Sequence, residues 1–317
     1  MASGPPVIRT GLDPAPTDRK PRTPWRRYLA CLRFQEVLVL QGPPLMGVMF
    51  GFRELAIAQV PTLLLFFLAT LCLLAHVFSF NDWAGIAADL NDPNKLQDVF
   101  LTKGITRREV RTVTLFLALM SLALYSLLPV QTLLLAVGII VLGLLYSHPR
   151  IHGKGIPIVS SCLHLTGGVL HFLLGYSLFG GIDLRGVLIG LFFALIFTAG
   201  HLNQEVRDYE GDRLNGILTN GVRFGQRKIF VISFLLFTFS HGYLWGLARY
   251  GLVPPALGYL IILLPVQGYL FWRTLKAGLT FQSVTRFQAQ YRLLYAGIGL
   301  FIVATLLLQV LSSSGLL

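Results

Sequence analysis

The chemistry of this chain gathers in NQEVRDYEGDRLNGILT, residues 203–219, directly after a long apolar run. Glu205, Asp208, Glu210 and Asp212 put four acids into eight residues there. On a helix, Glu205, Asp208 and Asp212 stand at i, i+3 and i+7 and share one face, with neighbouring Cβ atoms about 5–6 Å apart. Carboxylates that close repel unless positive charge lies between them. Hard oxygen ligands from one or two carboxylates, completed by water and substrate phosphate, describe a Mg2+ site. Taken alone, the segment reads equally well as a solvated acidic cap. Glu210 lies off the shared face and is expected in solvent.

A second acidic stretch, FNDWAGIAADLNDPNK at 80–95, carries Asn81, Gly85 and Asp89 as an i, i+4, i+8 row. Asp82 follows Asn81 directly and stands two turns from Asp89. Asn91-Asp92-Pro93 should end that helix. In the next segment, LTKGITRREV at 101–110, Thr106 with Glu109 three residues on has the pattern of a capping box. Between the acidic stretches lies LYSHPRIHGKG, 145–155, which offers Tyr146, Ser147, Arg150 and Lys154 among glycine and proline. Its cations could neutralise a diphosphate that metal ions bridge from the other side, and departure of pyrophosphate is mostly an electrostatic problem. An acidic rim, a basic loop and apolar helices beneath suit one ligand class, a diphosphate head on a long hydrocarbon.

Membrane helices must position these groups. The 317 residues are 54% hydrophobic and 13% charged, with mean hydropathy +0.68, where a soluble chain carries about a quarter charged residues. Apolar runs of spanning length recur and do not alternate as barrel strands would. The reading is an all-α polytopic membrane protein of about nine transmembrane helices around a central cavity. The spans are expected near 34–52, 60–80, 110–128, 131–147, 157–179, 185–203, 229–248, 253–272 and 293–311, the first kinked at Gly42-Pro43-Pro44. Of the 26 Lys and Arg, all but Arg53, Arg185 and Arg249 fall in the N-terminal tail or in loops on one side. By the positive-inside rule the N-terminus and the acid-bearing loops are cytoplasmic. The net charge of +12 is then explained by topology and anionic lipid, with no nucleic acid required. Residues 1–33 read as a disordered basic cytoplasmic tail, with no secretory signal, and Asp13 and Asp18 argue against a transit peptide. More than half of the 14 acids sit in two clusters, Asp82, Asp89, Asp92 and Asp98, then Glu205 to Asp212, each just after a span. Four spans separate them, which allows two similar four-helix halves.

Three blocks resemble the UbiA-type intramembrane prenyltransferase superfamily. Its first motif is Asn with Asp four and eight residues on. Its second is D-x-E-G-D-R-x-x-G-x-x-T, and a Tyr-Ser/Thr loop with a downstream Lys or Arg lies between. Residues Asp208 to Asp212 with Arg213, Gly216 and Thr219 match the second motif closely, and the likeness covers roughly 35–311. The resemblance implies Mg2+-dependent transfer of a prenyl group from a prenyl diphosphate to a hydrophobic acceptor, aromatic or lipid-like, inside a bacterial cell membrane and among its lipids. It implies Asp208 and Asp212 on one Mg2+, Asn81 and Asp89 on the other, and Arg150 or Lys154, with Tyr146 and Arg207, on the diphosphate. The family's middle acid of the first motif is absent, since residue 85 is glycine. Asp82 is the alternative catalytic and metal-binding acid there, although it points about 100° away on a regular helix.

Smaller signals are weaker. Cys31, Cys72 and Cys162 have no motif spacing and read as small hydrophobes. The seven histidines are scattered, with His164 and His171 at i, i+7 and His201 just ahead of the second acid cluster; a zinc site would want tighter grouping. Three other readings remain to be separated: a membrane terpene cyclase, a secondary transporter with related halves, and a silent lipid-binding relative. Product analysis, substrate flux and Mg2+-dependent turnover respectively decide among them.

Overall fold

The computed structural model describes residues 32–52 and 57–313. Every regular element among them is helical. The expected basic tail lies outside the described residues except for Leu32 and Arg33, and Arg53 lies outside them too. The helices are α1 (Phe34–Val39), α2 (Gly42–Gly51), α3 (Val60–Asn91), α4 (Arg107–Tyr125), α5 (Val130–Ser147), α6 (Val159–Tyr176) and α7 (Leu184–Arg207). They continue as α8 (Tyr209–Leu214), α9 (Asn220–Phe224), α10 (Gln226–Arg249), α11 (Pro255–Gly258), α12 (Leu264–Lys276) and α13 (Phe281–Ser313). All nine expected columns carry helix. Six helical stretches are long and apolar enough to cross a membrane: Ile57–Asn91, Val130–Ser147, Leu184–Arg207, Gln226–Arg249, Pro255–Lys276 and Phe281–Ser312.

Two columns are broken. The first divides at Leu40 and Gln41, ahead of the Gly-Pro-Pro, so that proline falls in the first turn of α2, where the missing N–H is no loss. The eighth passes from α11 through a 3-10 stretch, Tyr259–Leu263, into α12.

The long helices explain how polar residues leave the apolar layer. α3 has 32 residues, about 48 Å at 1.5 Å each, against roughly 30 Å of hydrocarbon. Its last turns, with Asn81, Asp82 and Asp89, therefore project past the apolar slab. The helix stops at Asn91 because Pro93 disfavours helical geometry in the residue before it, and Asp92 is extended at φ −92, ψ 111. At the start of α4 the expected capping box is present. Thr106 N donates to Glu109 Oε2 at 2.7 Å, and Glu109 N to Thr106 Oγ1 at 3.2 Å.

Lipid tails are as apolar as leucine, so close fit and not water exclusion holds such helices together. A Cβ on Gly47 would overlap the carbonyl of Phe172, and one on Gly175 the carbonyl of Pro44. α2 and α6 therefore touch backbone to backbone. Phe50, Phe172 and Phe192 pack the core among α2, α6 and α7, while Phe66, Leu73 and Tyr125 pack α3 against α4. The Tyr125 hydroxyl is satisfied there by Thr70 Oγ1 at 2.7 Å. Because the columns alternate, segments 92–106, 148–158, 208–225 and 277–280 all meet at one end of the bundle.

Candidate active site

The second acid motif is bent. The expected single helical face over 203–219 is not what forms. α7 stops at Arg207, Asp208 sits at φ −87, ψ 7, and α8 restarts at Tyr209. Asp212 N still donates to Asp208 O at 2.8 Å across the corner, so these two acids stay one turn apart. Glu205 leaves the face. It is buried, with Oε1 accepting from Ser160 Oγ at 3.1 Å and Asn220 Nδ2 at 3.1 Å, and Oε2 from Gly221 N at 3.3 Å. The residue ties α6, α7 and α9 together. Glu210 is exposed, as expected, beside Arg213 at 3.8 Å.

The two acidic stretches meet at one lysine. Lys95 Nζ lies 2.8 Å from Asp208 Oδ2, 3.7 Å from Asp89 Oδ1 and 4.0 Å from Asp92 Oδ2. Arg207 grips Asp208 from the other side with both oxygens engaged, Nε to Oδ1 at 2.6 Å and Nη2 to Oδ2 at 3.1 Å. Burial alone would raise the Asp208 pKa, but Arg207 and Lys95 override it and hold the carboxyl well below its usual range. Lys154 lies 3.5 Å from Asp212 Oδ1. There burial prevails and Asp212 is pushed up, with Lys154 pulling against it. Lys154 itself stays protonated above its ordinary range, because Asp212, Asp208 and Asp89 outweigh its burial.

The loop after α3 closes onto α8. Asp92 is buried against Gly211, where a Cβ would overlap its carboxylate, and Asn215 Nδ2 donates to Ala88 O at 3.1 Å. Ser147 Oγ donates to Asn81 Oδ1 at 3.1 Å, tying the basic loop to the first motif. Tyr146 packs edge-on to His164 at 4.8 Å. Asp82 is turned to Arg33, which donates through Nε at 3.0 Å and Nη2 at 2.5 Å. Arg150 is exposed at the loop tip, apart from the cluster. Gly85 faces Asp89 across open space, since the nearest atom to a Cβ there would be Asp89 Oδ2 at 3.7 Å. A cavity of about 450 Å³ lined by Pro61, Leu65, Leu128 and Phe179 belongs to the opposite end.

Among the described residues no three His, Cys, Asp or Glu side chains form a ready metal cage. The donors suit a hard cation nonetheless. They are all oxygen, and Asp212 Oδ2 is buried with no hydrogen-bond partner. Mg2+ asks for one or two carboxylates and takes its remaining ligands from water and phosphate.

Lys95, Asp92 and Arg33 were not singled out from the sequence. Lys95 and Arg33 were counted there only as topogenic charge, and Asp92 as part of an acid cluster and a helix stop. A lysine two residues beyond the helix-ending Asn-Asp-Pro is the available signal.

The model of the UbiA prenyltransferase family matches residues 43–278, about three quarters of the chain. The chain belongs to the UbiA prenyltransferase family. Its fold is shared with a UbiA homologue of Archaeoglobus fulgidus solved with DMAPP and Mg2+ (TM-score 0.64, 20% identity, 88% of this chain and 99% of that one). The same homologue solved with GPP and Mg2+ gives 0.63, again at 20% identity and the same coverage. The digeranylgeranylglyceryl phosphate synthase of Methanosarcina mazei is 42% identical over 79 residues, 24% of this chain. That match spans 26% of the synthase, about a quarter of its length. As a UbiA-family chain with six described helices long and apolar enough to cross a membrane, it is an integral membrane protein.

Proposed function

We propose that this UbiA protein transfers a prenyl group from a prenyl diphosphate to a hydrophobic acceptor, aromatic or lipid-like, with Mg2+ as cofactor. One observation carries the reading: Asp89 of the first motif and Asp208 of the second converge on Lys95, at 3.7 and 2.8 Å. Asp208 and Asp212 would hold one metal ion, and Asn81 and Asp89 the other, with Asp82 committed to Arg33. The carboxylates of the two motifs thus form the metal-binding and catalytic set. Bound Mg2+ offsets the charge that builds on the departing diphosphate. Lys95, Lys154 and Arg207 add fixed positive charge at the same place, whereas Arg150 stays exposed in the loop. Tyr146 closes the floor beneath. The apolar helices below exclude water from the reacting carbon. The acid-bearing end faces the cytoplasm on the charge pattern.

The test is binding of a non-reactive thio-diphosphate analogue of geranylgeranyl diphosphate, with and without Mg2+, to the native protein and to Asp208→Asn. Tight binding that needs both Mg2+ and Asp208 supports the reading. Equal, weak binding in all four cases sinks it and leaves transport as the better account.

A further inference from the structure

Beneath the carboxylates, inside the bundle, lies a second polar cluster. The rings of His164 on α6 and His201 on α7 are stacked, with centroids 3.6 Å apart and planes 6° from parallel. Tyr146 stands edge-on to both, at 4.8 and 6.1 Å. His201 Nε2 is buried and lies 3.1 Å from Glu205 Oε1. Glu205 is itself fixed by Ser160, Asn220 and Gly221. His201 precedes Asp208 on α7 by two turns, about 10 Å of helix. A diphosphate head held at Asp208 would therefore set its allylic carbon on the side of this pair.

Backbone contacts settle the tautomer. His164 Nδ1 lies 2.9 Å from the carbonyl of Ser160. A carbonyl only accepts, so Nδ1 carries the hydrogen and Nε2 of the neutral ring presents a lone pair. Two turns deeper, His171 Nδ1 makes the same bond to Gly167 O at 2.8 Å, and its Nε2 is buried without a partner. Phe197 packs against both rings, at 5.3 and 6.2 Å. His164 and His171 on α6 thus share one tautomer, and the Nε2 of His171 is buried without a hydrogen-bond partner. The lone pair on His164 Nε2 is an acceptor that a bound hydroxyl would satisfy.

On the prenyl-transfer reading, on which this inference rests, we propose that the His164–His201 pair is the acceptor subsite and takes an acceptor bearing an ionisable hydroxyl. The hydroxyl donates to His164 Nε2. As the prenyl C–O bond breaks, its electron pair leaves with the diphosphate. The acceptor then bonds the allylic carbon with an electron pair of its own. Its hydroxyl proton passes to His164 Nε2, and the O–H electron pair stays on the acceptor. Two parallel imidazoles this close repel when both are charged, and Glu205 lies beside the His201 ring.

The experiment is nitrogen NMR on histidine-labelled protein in lipid nanodiscs, with 2-naphthol as the hydroxyl probe. His164→Gln and His201→Gln assign the two rings. The expected result is a protonated Nδ1 and bare Nε2 on His164, with the Nε2 resonance moving upfield as 2-naphthol is added. A His164 protonated at Nε2 instead, or an Nε2 resonance unmoved at saturating probe, overturns the subsite. Binding of the thio-diphosphate analogue with Mg2+ is measured alongside. Unchanged analogue binding in His164→Gln supports a subsite separate from the head group, and a fall there would place the pair in the diphosphate site and overturn the assignment. Failure of the native protein to bind the analogue strikes the transfer reading, whatever the naphthol result.

Discussion

Asp208 carries two cations on one carboxylate, and that decides how it answers to pH. Burial would raise its pKa, but Arg207 and Lys95 depress it. The stability it contributes is complete above the unfolded value of about 3.9 and is lost only as pH falls through the lower native value. Arg207→Gln removes one cation and lifts the native value toward the unfolded one, so the variant is less stable at neutral pH and has less of this contribution to lose as pH falls. Thermal midpoints measured from about pH 6 down to about 3 should show the variant lower at pH 6 and the gap to native closing as pH falls. A uniform drop at every pH would instead assign Arg207 to packing through Gln288, which it contacts at 3.0 Å. At residue 85 the opposite change is available. Gly85→Asp meets no atom closer than 3.7 Å at its Cβ, so a third carboxylate fits beside Asp89. Its expected effect is lower stability without Mg2+, from like-charge repulsion, and half-maximal analogue binding at less Mg2+. A titration of analogue binding against Mg2+ checks it. The residues that bear charge toward the site were legible in the sequence as types. Their partners were not, because the contacts of Lys95 with Asp208 and of Arg33 with Asp82 join segments that spacing alone does not relate.

At the scale of elements, the corner at Arg207–Tyr209 is what separates Glu205 from the two aspartates. The sequence showed three acids on one helical face, since a bond from Asp212 N to Asp208 O keeps helical spacing across the break. Nothing in that spacing reveals that the axis turns. The structure gives Glu205 a different task, holding α6 and α9 to α7. Glu205→Ala strands the donors of Ser160 and Gly221, each worth about 1–3 kcal/mol, while Asn220 Nδ2 keeps Ser160 Oγ and Ser161 Oγ. A clear fall in thermal midpoint is expected, and a midpoint equal to native would show that the junction does not depend on this carboxylate. Helix existence was legible in nearly every column, because apolar runs of membrane length admit few alternatives. The break at Pro93 and the Thr106–Glu109 box were also legible, from local chemistry alone. The stacking of His164 on His201 was not, since it depends on which faces of α6 and α7 meet.

For the whole molecule, the distribution of charge sets the expected orientation. Among the described residues the loops that bear the two acid clusters lie at one end of the bundle, with most of the Lys and Arg. Arg213 on α8 is exposed, with a side chain 65% accessible. In a variant whose three native cysteines are replaced, Arg213→Cys should react with a membrane-impermeant maleimide only from the cytoplasmic face. Labelling from the outside alone would invert the topology and move the whole site across the membrane.

Lys95 against Asp89 and Asp208, and Lys154 against Asp212, mean that this chain brings its own counter-ions to its acids. Small zinc domains are unfolded until their ion arrives; here insertion and folding can finish first. Loading with a divalent ion is then a late and reversible event in the life of the protein. A chelator should abolish analogue binding while leaving the thermal midpoint close to its starting value, and fresh Mg2+ should restore binding without a refolding step. Chelation that unfolds the protein would show that the lysines cannot hold the acids together alone.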